Sequence, residues 1–88
     1  LITFFTATGT SVVRAWTLHR GQTAYDAAGK IHTDMQRGFV RAEVVSYSDL
    51  MAAGDFATAR DQGLLRIEGR DYVVDDGDIL HIRFSPAQ

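Results

Sequence analysis

Residues 71–84 read DYVVDDGDILHIRF, and this segment ends in a strand pattern. Positions 79–84 alternate between apolar and polar side chains, so a strand here has one face toward a core and one toward solvent. The Asp-Asp-Gly run at 75–77 consists of residue types that are typical of a tight turn. The segment therefore predicts a turn followed by a half-buried strand. Its apolar positions are Leu80, Ile82 and Phe84, and its polar positions are His81 and Arg83.

Two further strands are indicated at the start of the chain. Residues 1–6 are apolar, β-branched or aromatic, and residues 12–18 have a similar composition. Thr8, Gly9 and Thr10 lie between the two stretches, and such residues favour turns. The first 18 residues therefore predict a β-hairpin.

One main helix is predicted after this hairpin. Thr23 is a candidate N-cap, and Asp26 follows three residues later, as in a capping box. Small and apolar side chains then recur at helical spacing. They are Ala24, Ala27, Ala28 and Ile31. The helix therefore has one narrow apolar stripe that faces a core.

The remaining segments complete the pattern of a small sheet. Residues 39–46 alternate as a strand, and residues 48–53 and 56–62 predict short helices that stop at glycines. Residues 64–67 and 72–74 are short strand candidates. This order is that of an α+β, ubiquitin-like β-grasp domain with a mixed sheet of about five strands. We expect the main helix and the short helices to lie on one face of the sheet and to leave the other open.

The composition excludes several classes of protein. The 88 residues are 45% hydrophobic and 23% charged, which is ordinary for one globular domain. Cysteine is absent, which excludes disulfides and thiolate metal sites, and no apolar run approaches the roughly 20 residues of a membrane-spanning helix. The net charge is −2, but residues 1–44 carry five basic and three acidic side chains, whereas residues 45–88 carry four and eight. A local basic patch is therefore compatible with an acidic chain.

No stretch has the spacing that a catalytic or metal site requires. Gly29 and Lys30 are followed by Ile31 instead of serine or threonine, so they do not form a phosphate-binding loop. The three histidines are far apart in sequence, and no serine has the flanking glycines of a nucleophile elbow. We therefore predict no catalytic centre, no metal site, no bound cofactor and no membrane partner for this stretch.

Strand alternation predicts one open sheet face that is aromatic and basic. We expect the other face to lie against the helix through Ile2, Phe4, Val13, Ala15, Val40, Ala42, Val44, Leu80, Ile82 and Phe84. The open face then carries Thr3, Phe5, Arg14, Trp16, Arg41, Glu43, His81 and Arg83. Aromatic rings stack on unpaired bases and arginines neutralise phosphates, a combination typical of surfaces that bind single-stranded or looped RNA. The predicted RNA- or partner-binding residues are Arg14, Trp16, Arg41, His81 and Arg83.

Several stretches resemble one known family. Residues 27–34 (AAGKIHTD), 37–44 (RGFVRAEV) and 71–84 closely resemble the C-terminal TGS domain of the YchF-type ATPases, a branch of the Obg-related P-loop GTPases. Residues 1–6 and 13–17 also resemble the first hairpin of that domain. The resemblance therefore covers nearly the whole chain.

The resemblance implies that residues 1–88 are a TGS domain cut from a longer, cytoplasmic protein. In that protein an upstream G domain, absent from this chain, would bind and hydrolyse ATP or GTP with magnesium, with ATP favoured. The family is associated with ribosomes and RNA, which implies a non-catalytic regulatory domain whose partner is the ribosome or structured RNA. An alternative stays open, in which the uncovered sheet face docks on the parent G domain and tunes nucleotide binding or hydrolysis.

Overall fold

The chain folds into a five-stranded mixed sheet that has helices on both faces. The computed structural model describes residues 1–7 and 12–85. The sheet order is β2-β1-β5-β3-β4, in which β1 and β5 are parallel and all other neighbours are antiparallel. In chain order the elements are β1 (Ile2–Ala7), β2 (Val12–Leu18), α1 (Ala24–Ile31), α2 (Thr33–Arg37), β3 (Phe39–Val45), α3 (Tyr47–Ala53), α4 (Phe56–Asp61), β4 (Arg66–Glu68) and β5 (Ile79–Phe84). The predicted α+β, β-grasp class is confirmed, whereas the predicted turn at Thr8, Gly9 and Thr10 lies outside the described residues.

Helix α1 begins at the predicted cap. The Thr23 hydroxyl accepts a hydrogen bond from the Asp26 amide (3.3 Å), and the Asp26 carboxylate accepts one from the Thr23 amide (3.0 Å). This reciprocal pair satisfies two amides that the first helical turn leaves free. Ala24, Ala27 and Ala28 have no exposed surface, so the predicted small-residue stripe faces the sheet.

Two apolar clusters form the core, one on each face of the sheet. The cluster under α1 contains the buried residues Ile2, Phe4, Leu18, Ala24, Ala27, Ala28, Phe39, Ala42, Val44, Val74, Leu80 and Ile82. The second cluster contains Ala7, Val45, Leu50, Phe56, Ala59 and Ile79, so α3 and α4 cover one end of the face opposite α1. Helices α3 and α4 therefore lie on the face opposite α1. The expectation that the short helices share the face of the main helix is wrong for these two, because Val45 and Ile79 present apolar side chains on the other face.

The register of the hairpin places β2 differently from the prediction. Phe4 pairs with Trp16 and Phe5 with Ala15, so Trp16 shares the face of Phe4 and the exposed Ala15 lies on the other face. The register also shifts by one residue between Thr6 and Ala7. The expected faces of Ala15 and Trp16 are therefore wrong, because a slip of one residue in pairing reverses every side chain. The side chain of Val13, which was expected beside Ala15, lies outside the described part of the chain.

A second register shift lies at the start of β3. Phe39 pairs with Phe84 and Arg41 pairs with Arg83, which leaves Val40 as an extra residue. Val40 is 53% exposed, whereas Phe39 is buried with the cluster under α1. The prediction that Val40 faces the helix is therefore wrong, because an inserted residue locally exchanges the two faces of a strand.

The turn before β5 is attached to β1. Gly77 has a φ of 87°, a conformation that glycine adopts without steric cost. Its amide donates to the Thr3 carbonyl (2.7 Å), and the Thr3 amide donates to the Asp76 carboxylate (2.9 Å). The turn predicted at 75–77 is thus present, and it holds the start of β5 against β1.

The carboxylate of Asp78 is buried and structural. It accepts hydrogen bonds from the Tyr72 hydroxyl (2.6 Å) and the Asp75 amide (2.9 Å), and the Arg66 guanidinium lies 3.8 Å away. Burial and the hydrogen bond to Asp78 raise the pKa of Tyr72 to about 12.

Within residues 1–7 and 12–85, no three His, Asp or Glu side chains are grouped as a metal site. None of the described helices has the length and apolar character needed to cross a membrane.

Candidate functional site

The five predicted site residues separate into two groups. Arg41 and Arg83 are paired across β3 and β5 on the sheet face away from α1, and His81 lies beside them on β5. Arg14 and Trp16 lie on the opposite face, because Trp16 pairs with the buried Phe4. The expectation of one surface that carries all five residues is therefore wrong.

The ring of Trp16 contacts several neighbouring side chains. Phe4 stacks against it with ring centroids 6.4 Å apart and an interplanar angle of 14°. The Arg14 guanidinium carbon lies 4.2 Å from the centre of the indole, and the indole N–H donates to the Thr6 hydroxyl (3.2 Å). Stacking on an RNA base would displace one of these contacts. Trp16 therefore has several contacts within the hairpin, and its part in RNA or partner binding stays a prediction.

The second group surrounds Glu43. Only 6% of Glu43 is exposed, and its Oε1 atom lies 3.2 Å from His81 Nδ1, 3.3 Å from an Arg60 guanidinium nitrogen and 3.6 Å from Arg83 Nε. Burial raises the pKa of the Glu43 carboxyl, but attraction to Arg83 and Arg60 and the hydrogen bond with His81 outweigh it. The pKa of Glu43 is therefore below its ordinary value of 4.5, and the group is ionised at neutral pH.

Arg60 was not among the predicted site residues, although the sequence contains a signal for it. It lies four residues after Phe56 in α4, so both side chains share one side of the helix. Phe56 is buried against the sheet and meets the ring of His81 edge-on at 5.8 Å. Burial of Phe56 thus directs Arg60 toward Glu43. Alternation along β3 places Glu43 on the sheet face that α4 packs against.

We name Arg41, Arg60, His81 and Arg83 around Glu43 the basic sheet surface. Its three arginines and one carboxylate leave an excess of two positive charges when His81 is neutral. The side chains of Arg60 and Arg83 remain 40% and 45% exposed, so their outer N–H groups are accessible while the inner ones are held by Glu43. Fixed, exposed guanidinium groups of this kind can bind phosphate oxygens.

Acid sensitivity of the fold is expected to depend on Glu43. A carboxyl whose pKa is lower in the folded state adds stability above its unfolded value of 4.5, and this stability is lost as the pH falls through the folded pKa. We expect Glu43→Gln to lose less stability than the wild type between roughly pH 5 and pH 3. Urea unfolding at a series of pH values measures this difference.

The Glu68→Gln variant is the control, since it removes a carboxylate from β4 without removing the centre of the cation cluster. It is expected to keep the wild-type loss of stability in acid. A Glu43→Gln profile that is parallel to that of the wild type would contradict the assignment of an ion-pair role to Glu43.

Comparisons with known proteins give consistent matches. The YchF-GTPase_C family model, described as "Protein of unknown function (DUF933)", matches residues 1–85. The chain is 53% identical to the ribosome-binding ATPase YchF of Bacillus subtilis over 85 residues, which are 97% of this chain and 23% of that protein. It is 48% identical to Obg-like ATPase 1 of Gallus gallus over 97% of the chain and 21% of that protein. The structure of the Schizosaccharomyces pombe YchF GTPase matches 93% of this chain and 21% of its own, with a TM-score of 0.81 and 38% identity. The chain thus spans less than a quarter of the relatives that it matches.

Proposed function

This chain belongs to the YchF-GTPase_C family, and from that membership we propose that it is a non-catalytic, regulatory domain that binds ribosomal RNA through the basic sheet surface. The resemblance to the C-terminal domain of YchF-type ATPases is confirmed by the family match and by the relatives. The match corresponds to the C-terminal domain and not to the nucleotide-hydrolysing domain, so this stretch is not the catalytic part. The name "ribosome-binding ATPase" of the Bacillus subtilis relative supports a ribosomal partner.

One observation carries the proposal. Arginines from three elements, β3, β5 and α4, converge on one sheet face. A single buried carboxylate, Glu43, holds two of them at fixed positions, which lowers the conformational entropy that phosphate binding would otherwise cost. Phosphate contacts by such side chains supply sequence-independent affinity for RNA. In this proposal ATP or GTP and magnesium bind elsewhere in the parent protein, and the domain acts in the cytoplasm.

Loss of two arginines from the basic sheet surface is expected to weaken ribosome binding and to reduce its salt dependence. Arg41→Ala combined with Arg83→Ala removes two phosphate contacts, while Arg60 still pairs with Glu43. The slope of log affinity against log salt concentration is expected to become shallower by about one unit per arginine removed. Co-sedimentation with ribosomes from Bacillus subtilis over a range of potassium chloride concentrations measures both quantities.

The matched control removes two arginines from elsewhere. Arg20→Ala combined with Arg37→Ala lowers the net charge equally but leaves the basic sheet surface intact, because Arg37 is in α2 and Arg20 is in the loop before α1. This control is expected to keep the wild-type salt slope to within about half a unit. Equal slopes for the two double variants would refute a specific role of the basic sheet surface.

A second candidate function is docking on the nucleotide-hydrolysing part of the parent protein. The observation that favours it is an exposed apolar pair on α3, where Tyr47 and Met51 are four residues apart and more than half exposed. Apolar side chains that share an exposed helix face are typical of protein contacts.

The test of docking adds this chain to the nucleotide-hydrolysing region of the Bacillus subtilis relative in the absence of ribosomes. A changed rate of ATP hydrolysis, restored to the original rate by Tyr47→Ala with Met51→Ala, supports docking.

A further inference from the structure

Strand β2 is an edge of the sheet. In the sheet order it is the terminal strand, and in the described residues it pairs only with β1. Arg14, Ala15 and Thr17 along it are exposed. The backbone N–H and C=O groups that point away from β1 have no strand to pair with in residues 1–7 and 12–85. Such an edge is a ready template for another extended chain.

A cleft of about 400 Å³ is lined mainly by residues of β2. Its lining residues are Thr3, Arg14, Ala15, Trp16, Thr17 and Lys30. Both charged side chains among them, Arg14 and Lys30, are cations, and the end of α1 contributes Lys30. The cleft therefore places two hydroxyl groups and an unbalanced positive charge on or next to the edge strand.

We propose that the outer edge of β2 binds an extended, acidic segment of a partner protein, which adds to the sheet as a sixth strand. The free backbone groups of β2 supply the main-chain hydrogen bonds of such pairing, and side chains at alternate positions decide which segment binds. Arg14 and Lys30 select acidic side chains by charge complementarity. This site is independent of the basic sheet surface, since Arg14 and Arg41 lie on opposite faces of the sheet.

The geometry favours a peptide over two other occupants. RNA bases need an accessible ring, but Trp16 already contacts Phe4 and Arg14. A second copy of this chain, paired through its own β2, would bring two Arg14 side chains and two Lys30 side chains to one interface, and like charges repel there. An acidic strand from a different protein uses the free edge and neutralises both cations.

The test uses nuclear magnetic resonance of the ¹⁵N-labelled chain. The probe is the acetylated and amidated octapeptide (Val-Glu)4, and the control probe is (Val-Lys)4, which has the same alternation but the opposite charge. At about 1 mM peptide we expect (Val-Glu)4 to shift the backbone amides of β2 and of Lys30, whereas (Val-Lys)4 leaves them unchanged. Lys30→Glu is expected to weaken (Val-Glu)4 binding at least about tenfold, and Arg37→Glu, which removes a cation from α2, to leave it unchanged.

Lys30→Glu is preferred to a change at Arg14, because Arg14 contacts the Trp16 ring. The proposal is overturned if (Val-Glu)4 causes no shifts at this concentration, or if both peptides bind equally. Shifts confined to the other edge strand, β4, would also overturn it. An oligouridine probe completes the set: stronger shifts of the β2 amides with RNA than with (Val-Glu)4 would assign the edge to nucleic acid instead.

Discussion

Replacement of Phe4 by alanine is expected to lower the free energy of unfolding by about 3–5 kcal/mol. Phe4 has no exposed surface, and it is among the largest buried side chains of the chain. It packs under α1 and against the ring of Trp16, so its removal opens a cavity between the sheet and the helix. The helix cannot close this cavity by repacking, because its buried residues Ala24, Ala27 and Ala28 are already small. Small domains have about 5–15 kcal/mol of total stability, so much of it is lost.

Urea unfolding followed by circular dichroism measures the effect of Phe4→Ala, and Met51→Ala is the control. Met51 is 55% exposed in α3, and alanine is a better helix former, so its replacement is expected to change stability by no more than about 0.5 kcal/mol. If Phe4→Ala cost less than about 1 kcal/mol, the contact between α1 and the sheet would not be the main core.

The second large effect is expected at Gly38. A methyl group added there would overlap the backbone carbonyl oxygen of Ser85. The two residues lie this close because the Ser85 amide donates a hydrogen bond to the Gly38 carbonyl (2.8 Å). Gly38→Ala therefore forces the end of β5 away from the start of β3. Overpacking of this kind typically costs about 1–3 kcal/mol, and here it also disturbs the pairing of Phe39 with Phe84.

Gly69→Ala is the matched control for Gly38→Ala. A methyl group at Gly69 would meet no heavy atom within 4 Å, and its backbone does not have a positive φ. Its replacement is expected to be neutral or slightly stabilising, because alanine restricts the unfolded chain more than glycine does. Thermal unfolding compares the two variants, and equal melting temperatures would show that the close approach of Gly38 and Ser85 is absent in solution.

The local features of the fold could be predicted from the sequence. The Thr23 cap, the alanine stripe of α1 and the strand at 79–84 depend on residues a few positions apart, so spacing alone indicates them. The faces of β2 and of Val40 could not be predicted, because they depend on how two strands are aligned. The alignment is fixed by the register shifts after Thr6 and after Phe39, which alternation within one strand does not reveal.

The candidate site shows the same division between local and non-local information. Arg41, His81 and Arg83 lie on one surface because β3 and β5 alternate regularly beyond Val40, and that part of the prediction agrees with the structure. Arg14 was separated from them by the hairpin register. Arg60 joins them from a helix whose position on the sheet is decided by burial of its apolar side, which only the assembled core shows.

The sheet order has a consequence for how this domain forms during synthesis. Strands β1 and β5, the first and last that the structure describes, are neighbours in the sheet, and the contact between Thr3 and Asp76 joins residues 73 positions apart. Without the last strand, the β2-β1 ribbon and the β3-β4 pair have no common neighbour in the described sheet. A ribosome that makes this chain must therefore release nearly all of it before the two halves can join, and such distant pairing slows folding. Until then, the apolar side chains of both halves remain exposed to solvent, where they bind chaperones or cause aggregation.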